Sequence, residues 1–180
     1  MLLKIVLVFA VLIAVFLIIV ALQPATFSVE RTKVIAAPPD KPFALVNDFH
    51  EWTKWSPWEG IDPAMKRTYE GPPAGIGAKY SWEGNDQVGS GGMTMTESQA
   101  PNLISLDLVF LKPMQARNVT VFKFEPEGAG TRVTWTMSGT KNFVSKGFCM
   151  FMNMDKMVGG DFEKGLEKMK TVAESTLSAP

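Results

Sequence analysis

The chain has 180 residues, 46% hydrophobic and 20% charged, with 18 basic and 18 acidic side chains. That describes one folded domain with an appendage, too apolar for a disordered chain and, with no basic run, without the footprint of a nucleic-acid binder. A single cysteine, Cys149, excludes an intramolecular disulfide framework, and with only one histidine, His50, there is no ordinary zinc ligand set.

Ile5 to Leu22 reads IVLVFAVLIAVFLIIVAL, 18 apolar residues with no charge and no proline. At ~1.5 Å per residue such a helix spans roughly 27 Å, close to the hydrocarbon thickness of a bilayer. A cleaved signal peptide has a shorter apolar region, about 7–15 residues, followed by small residues at the cleavage site. Gln23-Pro24-Ala25 matches that poorly, and the run lacks the polar side of a core helix. The expectation is an uncleaved, single-pass membrane anchor with its linker over 1–26 and a folded domain over 27–180. Lys4 before the span and Arg31 and Lys33 after it nearly balance. The four-residue tail predicts that the body lies on the non-cytoplasmic side.

FSVERTKVIA (27–36) is rich in β-branched residues and reads as a strand that Pro38 and Pro39 end. Asp40 is a candidate cap for a short helix through Asn47 or Asp48. The stretch NDFHEWTKWSPWEGIDP (47–63) then places Trp52, Trp55 and Trp58 at a spacing of three. MKRTYE (65–70) is a short strand closed by GPPAGIG, which is turn chemistry. AKYSWEG (78–84) alternates, with Tyr80 and Trp82 on one face. NDQVGSGG is a turn or a glycine-loosened strand end, and MTMTES (93–98) alternates again. In LISLDLVFL (103–111), Ile104, Leu106, Leu108 and Phe110 share a face. ARNVTVFKFEP (116–126) and TRVTWTMSG (131–139), joined by EGAG, form a hairpin with Val133, Trp135 and Met137 on one side. From about Ser145 to Thr176 the period changes to threes and fours, which predicts one long amphipathic helix. Gly159-Gly160 in its middle marks a kink or a close approach. Strands linked by tight turns form an antiparallel sheet, and the last helix is the obvious cover for its apolar face.

Three segments carry a family resemblance: VIAAPPDKPFALVNDFHEWTKWSPW, GSGGMTMTESQAPNLISLDLVFLKPMQARNVTVFKFEPEGAGTRVTWTMSG and FMNMDKMVGGDFEKGLEKMK. Over about residues 27–175 the layout resembles the START-like, or SRPBCC, superfamily. That superfamily includes the polyketide cyclase/dehydrase-like proteins and shares the helix-grip fold of the birch-pollen allergen. The resemblance implies an α+β fold, a curved antiparallel sheet of about seven strands wrapped on a long C-terminal helix. It also implies a hydrophobic tunnel between the two that holds lipids, sterols, polyketides or other apolar molecules. The tunnel-facing positions would be Tyr80, Trp82, Leu106, Leu108, Phe110 and Trp135 from the strands, and Phe148, Phe151 and Met152 from the helix. Trp52, Trp55 and Trp58 fall where the family has two short helices at one end of the tunnel. They would form either an aromatic rim or a plug for the end of the core.

Chemistry is sparse. His50-Glu51 opens an H-E-x-x-H pattern but lacks its second histidine. Asp48, Glu51 and Glu59 read as solvated or capping carboxylates. Tyr80 is the one plausible acid among inward positions, and a buried tyrosine usually just hydrogen-bonds. In MFMNM (150–154), Met150 and Met154 share a helix side while Met152 points away, so no copper site is expected. No metal and no cofactor is predicted. Two functions of different class remain, beside a blander third, a partner-binding protein without a small-molecule ligand, which a large exposed apolar patch would mark. One is membrane-tethered binding of an apolar molecule or lipid, an idea that fails if the cavity is filled by its own side chains. The other is a cyclase/dehydrase-like enzyme, which a buried carboxylate facing Tyr80 would favour.

Overall fold

The computed structural model describes residues 2–151 and 154–175. Helix α1 (Leu2–Leu22) leads into β1 (Thr26–Ile35), α2 (Asp40–Asn47) and a 3-10 turn (Glu51–Lys54). Strands β2 (Lys66–Glu70), β3 (Lys79–Glu83), β4 (Ser90–Gln99), β5 (Leu103–Lys112), β6 (Ala116–Glu127) and β7 (Gly130–Thr140) follow. Helices α3 (Phe143–Cys149) and α4 (Met154–Ser175) come last. The seven strands form one antiparallel sheet in the order β1-β7-β6-β5-β4-β3-β2. Only β1 is out of sequence, because it pairs with the last strand while the other six follow as hairpins.

The two-residue period of the strands sets the core. Tyr80, Met93, Met95, Ile104, Leu106, Leu108, Phe122, Phe124, Val133, Trp135 and Met137 line the concave face and are buried. Helix α4 lies against this face through Phe162, Leu166, Met169 and Ala173, all buried. At ~25 cal/mol per Å² of apolar surface removed from water, this layer is the main source of stability. Glycines appear where a ring or a side chain needs the space. A Cβ on Gly91 would come within 2.6 Å of the Trp82 ring, so GSGG opens β4 rather than forming a turn. A Cβ on Gly159 would come within 2.0 Å of the Arg31 guanidinium. Close approach, one of the two expectations for this glycine pair, thus applies to Gly159.

Arg31 explains that approach. Its Nε donates to Glu163 Oε1 at 2.7 Å and its Nη1 to Asp155 Oδ1 at 2.9 Å, tying β1 to α4. The Asp155 carboxyl is held below its ordinary range, first by this hydrogen bond. Lys33 pairs with Glu167, and Glu174 accepts from the Ala36 backbone N–H at 2.7 Å. Lys170 and that N–H lower the Glu174 carboxyl as well. One edge of α4 is therefore held to β1 by polar contacts while its inner face is apolar.

Two sequence expectations change. The final helix is broken: Asn142 caps α3, its Oδ1 accepting from Ser145 N at 2.8 Å, and α3 ends before α4 begins. The reason is that α3 packs on α1, with Gly147 against Val20, whereas α4 packs on the sheet. One straight helix cannot serve both surfaces. In addition, Asp40 does not cap α2, whose N-cap position is Pro39 with no side-chain hydrogen bond.

Candidate functional site

The tryptophan stretch divides into two parts. Helix α2 leaves the carbonyls of its last four residues without intrahelical partners. Trp55 Nε1 donates to Leu45 O at 2.8 Å and Trp52 Nε1 to Val46 O at 2.9 Å. Gly75 N donates to Asn47 O at 3.1 Å. Residues three apart eclipse in a 3-10 turn, so the spacing of Trp52 and Trp55 puts both indoles over the C-terminus of α2. Both rings are buried, with centroids 4.7 Å apart. They are fixed in place as a cap and plug. Trp58, beyond Pro57, is half-buried and turns instead onto Trp135 and Phe162, with centroids at 5.8 and 6.3 Å.

Trp135 is the centre of the concave face. Its ring stacks on Phe162 of α4 at 3.9 Å and 8°, and on Phe122 at 4.9 Å and 29°. Trp55 meets it edge-on at 5.5 Å. It is 2% exposed, yet its indole N–H has no hydrogen-bond acceptor among the described residues. That distinguishes it from Trp52 and Trp55. Leaving a buried donor unpaired costs roughly 1–3 kcal/mol.

Among the described residues the rings around Trp135 form a packed aromatic column. Leu106 and Leu108 are buried in it. Trp82 and Phe110, centroids 5.9 Å apart, are partly buried at its margin. Phe148 and Phe151 lie elsewhere. Both are exposed on the α3 side, and Phe151 stacks on Phe16 of α1 at 6.5 Å. Met152 lies outside the described residues. The structure thus brings Trp52, Trp55, Trp58, Tyr80, Trp82, Leu106, Leu108, Phe110 and Trp135 to one largely aromatic layer and separates Phe148 and Phe151 from it.

A polar cluster adjoins the layer at the β2–β3 edge. The Tyr80 hydroxyl donates to Glu59 Oε1 at 3.3 Å, a long contact for a hydroxyl and a carboxylate. Arg67 holds the other oxygen, Nε donating to Glu59 Oε2 at 3.0 Å. The Glu59 side chain is 11% exposed, so it is a nearly buried ion-pair partner and not the solvated carboxylate its sequence suggests. Desolvation first, and the Glu59 charge second, push the Tyr80 phenol well above its ordinary value. Tyr69, stacked 4.1 Å from His50, is raised by the same causes. His50 Nδ1 is 2.7 Å from Asp48 Oδ1. Beside these groups a cleft of about 280 Å³ opens, lined by Phe49, His50, Tyr69, Glu70, Ala78 and Lys79 among others. Pockets for small molecules run from about 300 Å³ upward, so this cleft suits only a small group or the end of a longer molecule. Sequence reasoning missed Glu59 and Arg67 because 8 residues and a loop separate them, with no periodic signal.

A curved antiparallel sheet gripping a C-terminal helix over an aromatic face is the arrangement of the helix-grip α+β proteins. The profile of the family described as "Polyketide cyclase / dehydrase and lipid transport" matches residues 26–174, and the chain belongs to that family. Solved structures of similar fold include a Staphylococcus aureus protein of unknown function, at 15% identity and TM-score 0.63, covering 86% of this chain and 97% of that one. A Chromobacterium violaceum protein is similar at 15% identity and TM-score 0.59, covering 84% and 99%. An Arthrobacter aurescens protein is similar at 20% identity and TM-score 0.57, covering 82% and 86%. At these identities the likeness concerns the fold alone. No curated protein matches the sequence.

Proposed function

We propose that this protein binds a hydrophobic molecule or lipid on the aromatic face between sheet and α4 while α1 tethers it to a membrane. The observation that carries the reading is the unpaired indole N–H of Trp135 inside an otherwise apolar layer. An apolar ligand with one hydrogen-bond acceptor, such as the carbonyl of an acyl lipid, would satisfy it. The packed column sets a condition on this reading: binding requires a ring to move. Trp58 is the candidate, since it is only half-buried and packs on Trp135 from outside. Trp52 and Trp55 are held by their bonds to α2 and stay. The membrane tether rests on α1, which is long and apolar enough to cross a bilayer and nearly unburied. We place the domain on the non-cytoplasmic side, with the positive charge of Lys4 on the cytoplasmic side of the span. An impermeant maleimide should then label a Glu125→Cys variant in a Cys149→Ser background in intact cells, and labelling only after lysis would reverse the placement.

The test of binding uses the full chain in nanodiscs doped with a diazirine-bearing fatty acid. Irradiation should attach the probe to the tryptic peptides 55–66 and 133–141, which carry Trp58 and Trp135. Trp135→Phe keeps the ring and removes the donor. It should cut that labelling roughly five- to tenfold, the worth of one hydrogen bond. Adducts confined to α1 in the wild type would sink the reading.

A second reading is catalysis, favoured by the contact of Tyr80 with Glu59. A phenol raised in this way stays protonated at neutral pH and can donate to a developing oxyanion. In that case Tyr80→Phe and Glu59→Gln would abolish turnover while the probe still labels Trp135.

A further inference from the structure

Helix α3 has no buried residue, yet apolar side chains at or just past it are exposed, among them Phe143, Val144, Phe148 and Phe151. Val144 is 73% exposed and Phe151 79%. A cluster of that kind facing water marks an interaction surface.

Its position relative to α1 identifies the partner. Lys146 Nζ donates to Ala21 O at 3.2 Å, one of the carbonyls that the last turn of α1 leaves open. Val20, the buried residue of α1, lies against Gly147. The backbone N–H of Lys141 donates to Ala25 O at 2.7 Å, fixing the start of α3 to the chain just after α1. Phe151 stacks on Phe16, with centroids 6.5 Å apart. Phe16 lies six residues before the end of α1, so at ~1.5 Å per residue Phe151 sits roughly 9 Å along α1 from its C-terminal end.

We infer that α3 lies in the interfacial layer of the bilayer, with Phe143, Val144, Phe148 and Phe151 inserted among the upper acyl chains. The inference rests on the reading that α1 spans the membrane, and adds that the folded domain itself is immersed at α3. An interfacial helix buries its apolar face by about 5–10 Å, a range that includes the offset of Phe151 along α1 of roughly 9 Å. Lys146 fits this placement, with its stem along the apolar surface and its ammonium on the terminal carbonyl of α1. Because α4 starts within five residues of the end of α3, the bilayer would hold the near end of the helix that covers the aromatic face.

Spin-label depth measurement tests this on the full chain, with Cys149→Ser as background, in phosphatidylcholine vesicles containing one-fifth phosphatidylglycerol. Labels go at Val11→Cys in α1, Val144→Cys in α3 and Glu125→Cys on the exposed side of β6. The expected result is that labels 11 and 144 both relax with oxygen and resist a water-soluble nickel chelate, with 144 the shallower, while 125 shows the reverse. If 11 is protected and 144 is as open to nickel as 125, the inference is overturned and the anchor stands. If 11 is itself open to nickel, the anchor reading fails and takes the inference with it. A Val144→Asp variant provides a second readout. It should raise nickel access at a label on Phe143→Cys at least threefold, and unchanged access there would count against insertion.

Discussion

Trp55→Phe is expected to destabilise the protein by about 3 kcal/mol, roughly 10 °C in melting temperature for a domain of this size. The loss has two parts. Shrinking an indole to a phenyl ring leaves a small cavity worth about 1 kcal/mol. Removing Nε1 also strands the Leu45 carbonyl, which is buried at the end of α2 and has Trp55 as its donor. A stranded buried acceptor costs roughly 1–3 kcal/mol. Trp135→Phe in the same layer should be nearly neutral, because the cavity cost of about 1 kcal/mol is offset by removing a buried donor that has no acceptor among the described residues. Urea unfolding of both variants in one detergent checks the pair. Equal losses would show that the Trp55–Leu45 bond contributes nothing, or that Trp135 has a partner after all. The contrast also separates structure from binding, since Trp135→Phe is the variant expected to release ligand.

Glu59→Gln is expected to cost about 2 kcal/mol. Breaking a fully buried ion pair costs roughly 3–5 kcal/mol, and Arg67, still a quarter exposed, recovers part of this by hydration. The variant also carries a titration signature. The chain has two tyrosines, and both phenols are raised in the folded state. Below pH 10 the protonated phenols contribute their full share of stability. As pH climbs from 10 towards the folded values, the unfolded chain releases its phenol protons first and stability falls. Phenolate absorbance at 295 nm at pH 10 should therefore be lower in the native protein than in the unfolded chain and rise with unfolding. In Glu59→Gln the carboxylate charge is gone while desolvation remains, so phenolate should appear at a lower pH than in the wild type. An unchanged curve would mean that Glu59 does not face Tyr80 in solution. Glu59→Leu, which removes the charge and leaves Arg67 with the Met65 carbonyl but without its carboxylate acceptor, should cost more than the glutamine.

Strand faces were legible because alternation is local. Tyr80/Trp82, Leu106/Leu108/Phe110 and Val133/Trp135/Met137 take the sides that their period predicts, since a strand shows its two faces within a few residues. The break between α3 and α4 was not legible. Phe148 and Phe151 continue the same threes and fours as Phe162 and Leu166, and periodicity says which residues share a stripe without saying what covers it. Arg31 and Lys33 illustrate the same limit. In sequence they are charges flanking an apolar span, whereas in the fold their partners Asp155, Glu163 and Glu167 arrive from more than 120 residues away.

By itself the sequence determined the apolar span, the order of the strands, the one-sided apolar pattern of the sheet and, through its resemblance, the helix-grip family. All of these rest on neighbours in the chain or on a pattern of residue types. Tertiary structure alone decided the roles of the rings. Trp52 and Trp55 cap α2 and Trp135 keeps a free N–H, because hydrogen-bond pairing depends on which carbonyl the fold brings within 3 Å. It likewise decided that Glu59 is paired and nearly buried, since a carboxylate's environment comes from distant segments that surround it.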